Sequence, residues 1–75
     1  MPIEFDFSAL RGRIVEKYGT FAAFADAIGM SRASLSQRIM NDVAFKPDEV
    51  ILICSPKVLD IAPEEIGKFF YTPKV

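Results

Sequence analysis

The side chains with the most specific potential chemistry share one side of a short predicted helix. Within SRASLSQRIM, residues 31–40, Arg32 and Gln37 lie away from the apolar edge formed by Leu35 and Ile39. A guanidinium can pair bidentately with O6 and N7 of guanine, and a carboxamide with N6 and N7 of adenine. A solvated helix face is the alternative interpretation, but this arc carries no acidic residue, which favours DNA. The residues of this arc, Arg32, Ala33, Ser36 and Gln37, are therefore candidates for base contacts.

Residues around this arc are of the types that hold a phosphate backbone. Thr20 is suited to cap a helix, and the free N–H groups at Phe21 would then face an anion. Lysine, arginine and asparagine side chains flank the arc in the sequence. Such contacts position a protein on a duplex without reading its base sequence. The predicted phosphate contacts come from Lys17, Thr20, Phe21, Arg38, Asn41 and Lys46.

Charge is distributed unevenly along the chain. The formal net charge is −1, yet residues 8–46 contain six Lys or Arg and only three Asp or Glu. Residues 1–7 and 47–75 are each acidic, with a net charge of −2. An acidic whole weakens the long-range attraction on which non-specific DNA binding depends. The basic middle of the chain therefore favours DNA, and the acidic C-terminal part favours a protein partner.

Five helices are predicted to position these residues, which makes the chain all-α. The first spans residues 8–18, where apolar side chains recur at helical spacing up to Gly19. The second follows the cap Thr20 and stops at Gly29, since glycine adopts the left-handed conformation at low cost. The third follows the cap Ser31 and runs to about Asn41. The fourth spans residues 47–54, and the last opens at residues 62–65.

The fourth helix has a competing interpretation. Residues 50–54, VILIC, form a β-branched apolar run that also fits a buried strand. Pro47 suits the first position of a helix, and the two carboxylates after it complement the helix dipole. These features favour a short helix, followed by a further turn through Val58 and Leu59.

Residues 20–41 resemble the helix-turn-helix of the Cro/CI-type phage repressors, within the lambda-repressor-like superfamily. The matching residues are Ala25, Gly29, Leu35 and Ile39. The flanking segments FDFSALRGRIVEKYG and IAPEEIGKFF also look like those of small Cro-like prophage regulators. The resemblance implies a five-helix DNA-binding domain whose third helix enters the major groove. The positions that match base-contacting sites of the family are Ser31, Arg32, Ala33, Ser36 and Gln37. One departure is that the family often has glutamine near the start of the second helix, where this chain has phenylalanine and alanine.

The resemblance further implies a sequence-specific transcriptional regulator that binds double-stranded operator DNA as a homodimer, without a small-molecule ligand. Surplus aromatic residues near the C-terminus are candidates for a two-fold interface, namely Phe70, Tyr71 and Val75. The alternative function is a protein-interaction module with the helix-turn-helix fold, such as an antirepressor that pairs with a repressor. The acidic C-terminal part supports that alternative.

Composition argues against most other classes of protein. Seventy-five residues allow one domain, which we place at residues 1–75. The chain has no histidine and a single cysteine, so we expect no enzyme activity, no metal site and no cofactor. The N-terminus lacks the features of a signal peptide, and no window reaches the roughly 20 apolar residues of a membrane span. A cytoplasmic location is therefore expected.

Overall fold

The computed structural model describes residues 4–74, which fold as five α-helices. A single turn of 3-10 helix, Pro63–Glu65, precedes the last of them. Within residues 4–74 there is no β-strand, and one isolated antiparallel bridge joins Phe5 to Pro73. The all-α, five-helix prediction is confirmed. The helices are α1 Ser8–Tyr18, α2 Phe21–Ile28, α3 Arg32–Ile39, α4 Pro47–Cys54 and α5 Ile66–Phe70.

The ends of α2 follow directly from its flanking residues. The hydroxyl of Thr20 accepts a hydrogen bond from the N–H of Ala23 at 3.1 Å, which caps the helix. Gly29 adopts φ 71°, and the next N–H, that of Met30, donates to the carbonyl of Ala25 at 2.9 Å. This pairing is a Schellman-type ending, which reverses the chain toward α3 within three residues. The predicted cap and stop of this helix are both confirmed.

The third helix is shorter than predicted. It ends at Ile39, and Asn41 has a positive φ of 68°, which cannot continue a right-handed helix. The amide of Asn41 pairs with the backbone of Phe5: its Oδ1 accepts the N–H at 2.9 Å, and its Nδ2 donates to the carbonyl at 3.1 Å. A long-range contact therefore stabilises the conformation that terminates α3.

The competing strand interpretation for residues 50–54 is wrong, because these residues belong to α4. The further turn is present as hydrogen-bonded turns: the N–H of Val58 donates to Ser55 at 3.0 Å, and the N–H of Leu59 donates to Ile53 at 3.1 Å. The opening of the last helix is a 3-10 turn rather than an α-helical one, so α5 itself has only five residues.

One hydrophobic core joins all five helices. Ala25 is completely buried, as expected for a small residue where two helices pack closely. Cys54 is buried as an apolar side chain, and that burial raises the pKa of its thiol. Each helix and the segment before α5 supply buried side chains, including Leu10, Ile14, Phe24, Leu35, Ile39, Val50, Ile53, Leu59, Ile61, Phe69 and Phe70.

An aromatic cluster connects the two ends of the chain to the loop between α3 and α4. The ring of Phe45 lies edge-on to Phe7 at 5.4 Å and to Phe70 at 5.2 Å. Tyr71 is edge-on to Phe5 at 5.7 Å. The backbone supports the same arrangement, since the N–H of Asp6 donates to Thr72 and the N–H of Lys74 donates to Glu4.

Candidate interaction surfaces

The face of α3 that was predicted to read bases is exposed. Met40, which is 69% exposed, extends this face beyond the end of the helix. Ser31 is also the N-cap of α3, where its hydroxyl accepts from the N–H of Ser34 at 3.1 Å. The five predicted residues share one surface, and all are exposed: Ser31, Arg32, Ala33, Ser36 and Gln37.

Arg38, a predicted phosphate contact, is used inside the chain. Its Nε and Nη2 donate to the two carboxylate oxygens of Glu49 at 2.9 and 3.0 Å. Its Nη1 donates to the carbonyl of Ser34 at 3.0 Å. The two side chains of this ion pair are 11% and 17% exposed. The guanidinium therefore joins α3 to α4, and the Glu49 carboxylate occupies two of the donors that a phosphate would need.

Glu49 is held as an anion by these contacts. The hydrogen bonds from Arg38, opposed by desolvation, keep the pKa of the Glu49 carboxyl below its usual value. The backbone N–H of Lys46 also donates to Glu49 at 2.9 Å, which caps the start of α4. One carboxylate thus both begins α4 and fixes it to α3.

The other predicted phosphate contacts divide into engaged and exposed groups. Asn41 is half-buried, and both ends of its amide are bonded to Phe5. Phe21 is half-buried, with the Arg11 guanidinium 6.0 Å from its ring centroid. Thr20, Lys17 and Lys46 are exposed, although the hydroxyl of Thr20 caps α2.

Of the predicted dimer residues that the structure describes, Tyr71 is exposed and Phe70 is not. Phe70 is 1% exposed, so its ring belongs to the core of a single chain, and its assignment to an interface needs correction. Tyr71 is half exposed, and its ring packs edge-on against the ring of Phe5. Val75 lies outside the described residues.

An exposed apolar face on α4 was missed from the sequence. Ile51 is 71% exposed and Leu52 is 45% exposed, with Asp48 and Ser55 on the same side of the helix. We call these four residues the α4 patch. The sequence does contain a signal for this face. Five consecutive apolar residues in a helix, at about 100° per residue, are spread over more than a full circle. One buried side of the helix therefore cannot hold all five.

Two clefts border the α4 patch. A cleft of about 390 Å³ lies between α4 and the turn after α2, where Met30 and Leu52 line it. A second cleft of about 490 Å³ separates α4 from the segment before α5, and its lining includes Ile51, Pro63 and Ile66. The second cleft is mainly apolar, whereas polar and charged residues, among them Arg38 and Asp48, make up much of the lining of the first.

Together, these features define a small all-helical protein that carries a helix-turn-helix pair and an exposed apolar helix. Within residues 4–74, no helix has the length and apolar character that a membrane crossing requires. The sequence matches, over residues 3–73, the model of a family described as "Protein of unknown function (DUF739)", and the chain belongs to that family. No curated protein matches the sequence.

A solved structure is similar to the whole fold. It is the solution structure of the modulator of repression (MOR) of the temperate bacteriophage TP901-1 from Lactococcus lactis. The two sequences are 37% identical, and the superposition covers 89% of this chain and 88% of that chain with a TM-score of 0.77. The similarity therefore spans nearly the complete fold of both proteins.

These matches correct two predictions. The identification as a Cro/CI-type repressor is wrong, because the chain belongs to the DUF739 family and the solved structure to which it is similar is that of a phage modulator of repression. The predicted function, an operator-binding regulator, is wrong because of the same match. Of the residues that carried the resemblance, Ala25 lies buried in the core and Gly29 forms the turn after α2, and neither role depends on what the outer surface binds.

Proposed function

We propose that this chain is a phage modulator of repression, which acts by binding a repressor protein. The observation that carries the proposal is the similarity to the modulator of repression of phage TP901-1, at 37% identity over nearly the whole fold. This is the alternative function that the acidic C-terminal part favours, a protein-interaction module such as an antirepressor. In this role the chain is a non-catalytic partner of the repressor and works in the cytoplasm without metal or cofactor.

The chemistry of the chain supports a protein partner. The side chains of Arg38 and Asn41 make hydrogen bonds within the chain itself, so these groups are not free to hold phosphates. The whole chain carries a net charge of −1, and residues 47–75 carry a net charge of −2. Acidic surfaces repel a duplex and attract the basic surfaces that DNA-binding proteins must carry.

The test is a direct binding measurement with the repressor encoded in the same phage genome. We expect the purified chain and repressor to form a complex in a calorimetric titration at about 0.15 M ionic strength. We also expect the chain to change the fraction of operator duplex that the repressor retains in a gel-shift assay. The chain alone should not shift that duplex. Absence of a complex at micromolar concentrations of both proteins would overturn the proposal.

A further inference from the structure

We infer that the α4 patch is the surface through which this chain binds the repressor. The inference rests on the proposed function and adds the site to it. Ile51 and Leu52 are adjacent, exposed and apolar, and side chains of this kind lose water favourably when a partner covers them. The grooves on either side provide space for side chains of the partner, about 390 and 490 Å³.

The architecture explains why these two side chains remain uncovered. Val50, Ile53 and Cys54 occupy the buried arc of α4. Ile51 and Leu52 follow at about 100° and 200° from Val50, so no rotation of this helix buries all five. The Arg38–Glu49 pair fixes α4 against α3, which holds the patch in a defined orientation.

Charge identifies the kind of partner surface that fits. Residues 47–66 contain five carboxylates and one lysine. Glu49 is neutralised by Arg38, whereas Asp48 and Asp60 line the two clefts beside the patch. The complementary surface therefore has an apolar centre surrounded by lysine or arginine side chains.

A second copy of this chain fits the same patch less well than a basic partner. Two-fold packing of α4 on α4 places the same surface on both sides of the interface. Asp48 and Asp60 of each copy would then approach carboxylates of the other, and like charges at an interface are unfavourable. The exposed α3 face is also a poorer match for a basic surface, since it presents Arg32 and no carboxylate.

The first experiment removes the apolar centre and measures binding to the purified repressor of the same phage. Ile51→Ser with Leu52→Ser should weaken the complex by about 30-fold or more, the effect of losing a hot spot in an interface. The matched control is Val15→Ser with Met40→Ser, at residues that are 53% and 69% exposed on other surfaces, and it should bind as the unmodified chain does. Circular dichroism checks that both variants fold, as exposed substitutions should allow.

The outcomes separate the two proposals. If the unmodified chain forms no complex, the proposed function fails. If it forms a complex that the α4 variant retains at full affinity, the assignment of the α4 patch fails and the proposed function stands. A concentration-dependent dimer of the chain that only the α4 variant loses would also overturn the assignment, because a second copy would then occupy the patch.

A second experiment tests the two carboxylates that line the clefts, Asp48 and Asp60, which we call the acidic rim. Asp48→Asn with Asp60→Asn should slow association with the repressor several-fold at low salt and reduce the salt dependence of the association rate. Asparagine tolerates the positive φ of 52° at residue 60, so the backbone is preserved. Asp26→Asn with Asp42→Asn is the control of equal charge change at exposed residues elsewhere. Equal slowing in both double variants would contradict a localised rim.

Discussion

Arg38 shows that a side chain whose hydrogen-bonding groups are engaged within the chain cannot bind a ligand through the same groups. A guanidinium presents a planar fork that matches a phosphate and a carboxylate equally well. In this chain the fork is filled by Glu49, eleven residues further along the sequence. Sequence reasoning could identify the cation on α3 but not its partner, because the pairing depends on how α4 packs against α3.

Protonation of Glu49 should cost stability at low pH. The folded-state pKa of this carboxyl lies below its usual value, so its contribution is present above about pH 4.3, the value for an unfolded glutamate, and is lost as the pH falls through the lower folded pKa. We expect the free energy of unfolding, measured in urea, to fall more between pH 7 and about pH 3 for the unmodified chain than for Glu49→Gln.

The comparison isolates one group. Asp6 also has a lowered pKa, chiefly through its hydrogen bond with the hydroxyl of Ser8, and contributes acid sensitivity of the same sign. Since Asp6 is present in both proteins, its contribution cancels in the difference. Identical pH dependence in the chain and in Glu49→Gln would contradict the role assigned to the Arg38–Glu49 pair.

Among the helices, sequence signals predicted an end correctly where the contacts that form that end lie within a few residues of it. Thr20 and Gly29 bound α2 through contacts within a few residues. The early end of α3 and the shortness of α5 were not predictable in the same way. Asn41 terminates α3 while bonded to Phe5, 36 residues away in the sequence. Likewise, the residues of α4 were predicted correctly, but which side of α4 is exposed depends on how the helix packs in the folded chain.

Gly29→Ala should destabilise the corner between α2 and α3. The backbone at this residue has φ 71°, a conformation that costs an L-residue about 1–2 kcal/mol, although a Cβ there would touch no neighbouring atom. The measurement is the free energy of unfolding in urea.

Gly12→Ala is the matched control for that substitution. Gly12 lies inside α1, where a Cβ would also meet open space and no positive φ is required. Alanine should therefore stabilise the chain there by about 0.5–1 kcal/mol. The two substitutions add the same methyl group, so effects of the same sign would contradict the assignment of strain to the corner.

At the scale of the whole molecule, the sequence predicted the fold better than the function. The spacing of Ala25, Gly29, Leu35 and Ile39 records how two short helices pack, and that packing is compatible with different outer surfaces. Arg32 and Gln37 lie exposed as predicted, yet exposure does not identify the ligand. The acidic C-terminal part and the acidic character of the whole chain were the features of the composition that favoured a protein partner.

The aromatic cluster packs the segment before α1 against α5 and the residues that follow it. Phe70 is 1% exposed and packs edge-on against Phe45, beside rings from the N-terminal segment and the tail. Phe70→Ala should lower the free energy of unfolding by about 3–5 kcal/mol, a large part of the stability of so small a domain. Tyr71→Ala, which removes a half-exposed neighbour, should cost clearly less. Urea unfolding followed by circular dichroism measures both variants, and a larger loss for Tyr71→Ala would show that the tail, rather than the buried ring, holds the ends together.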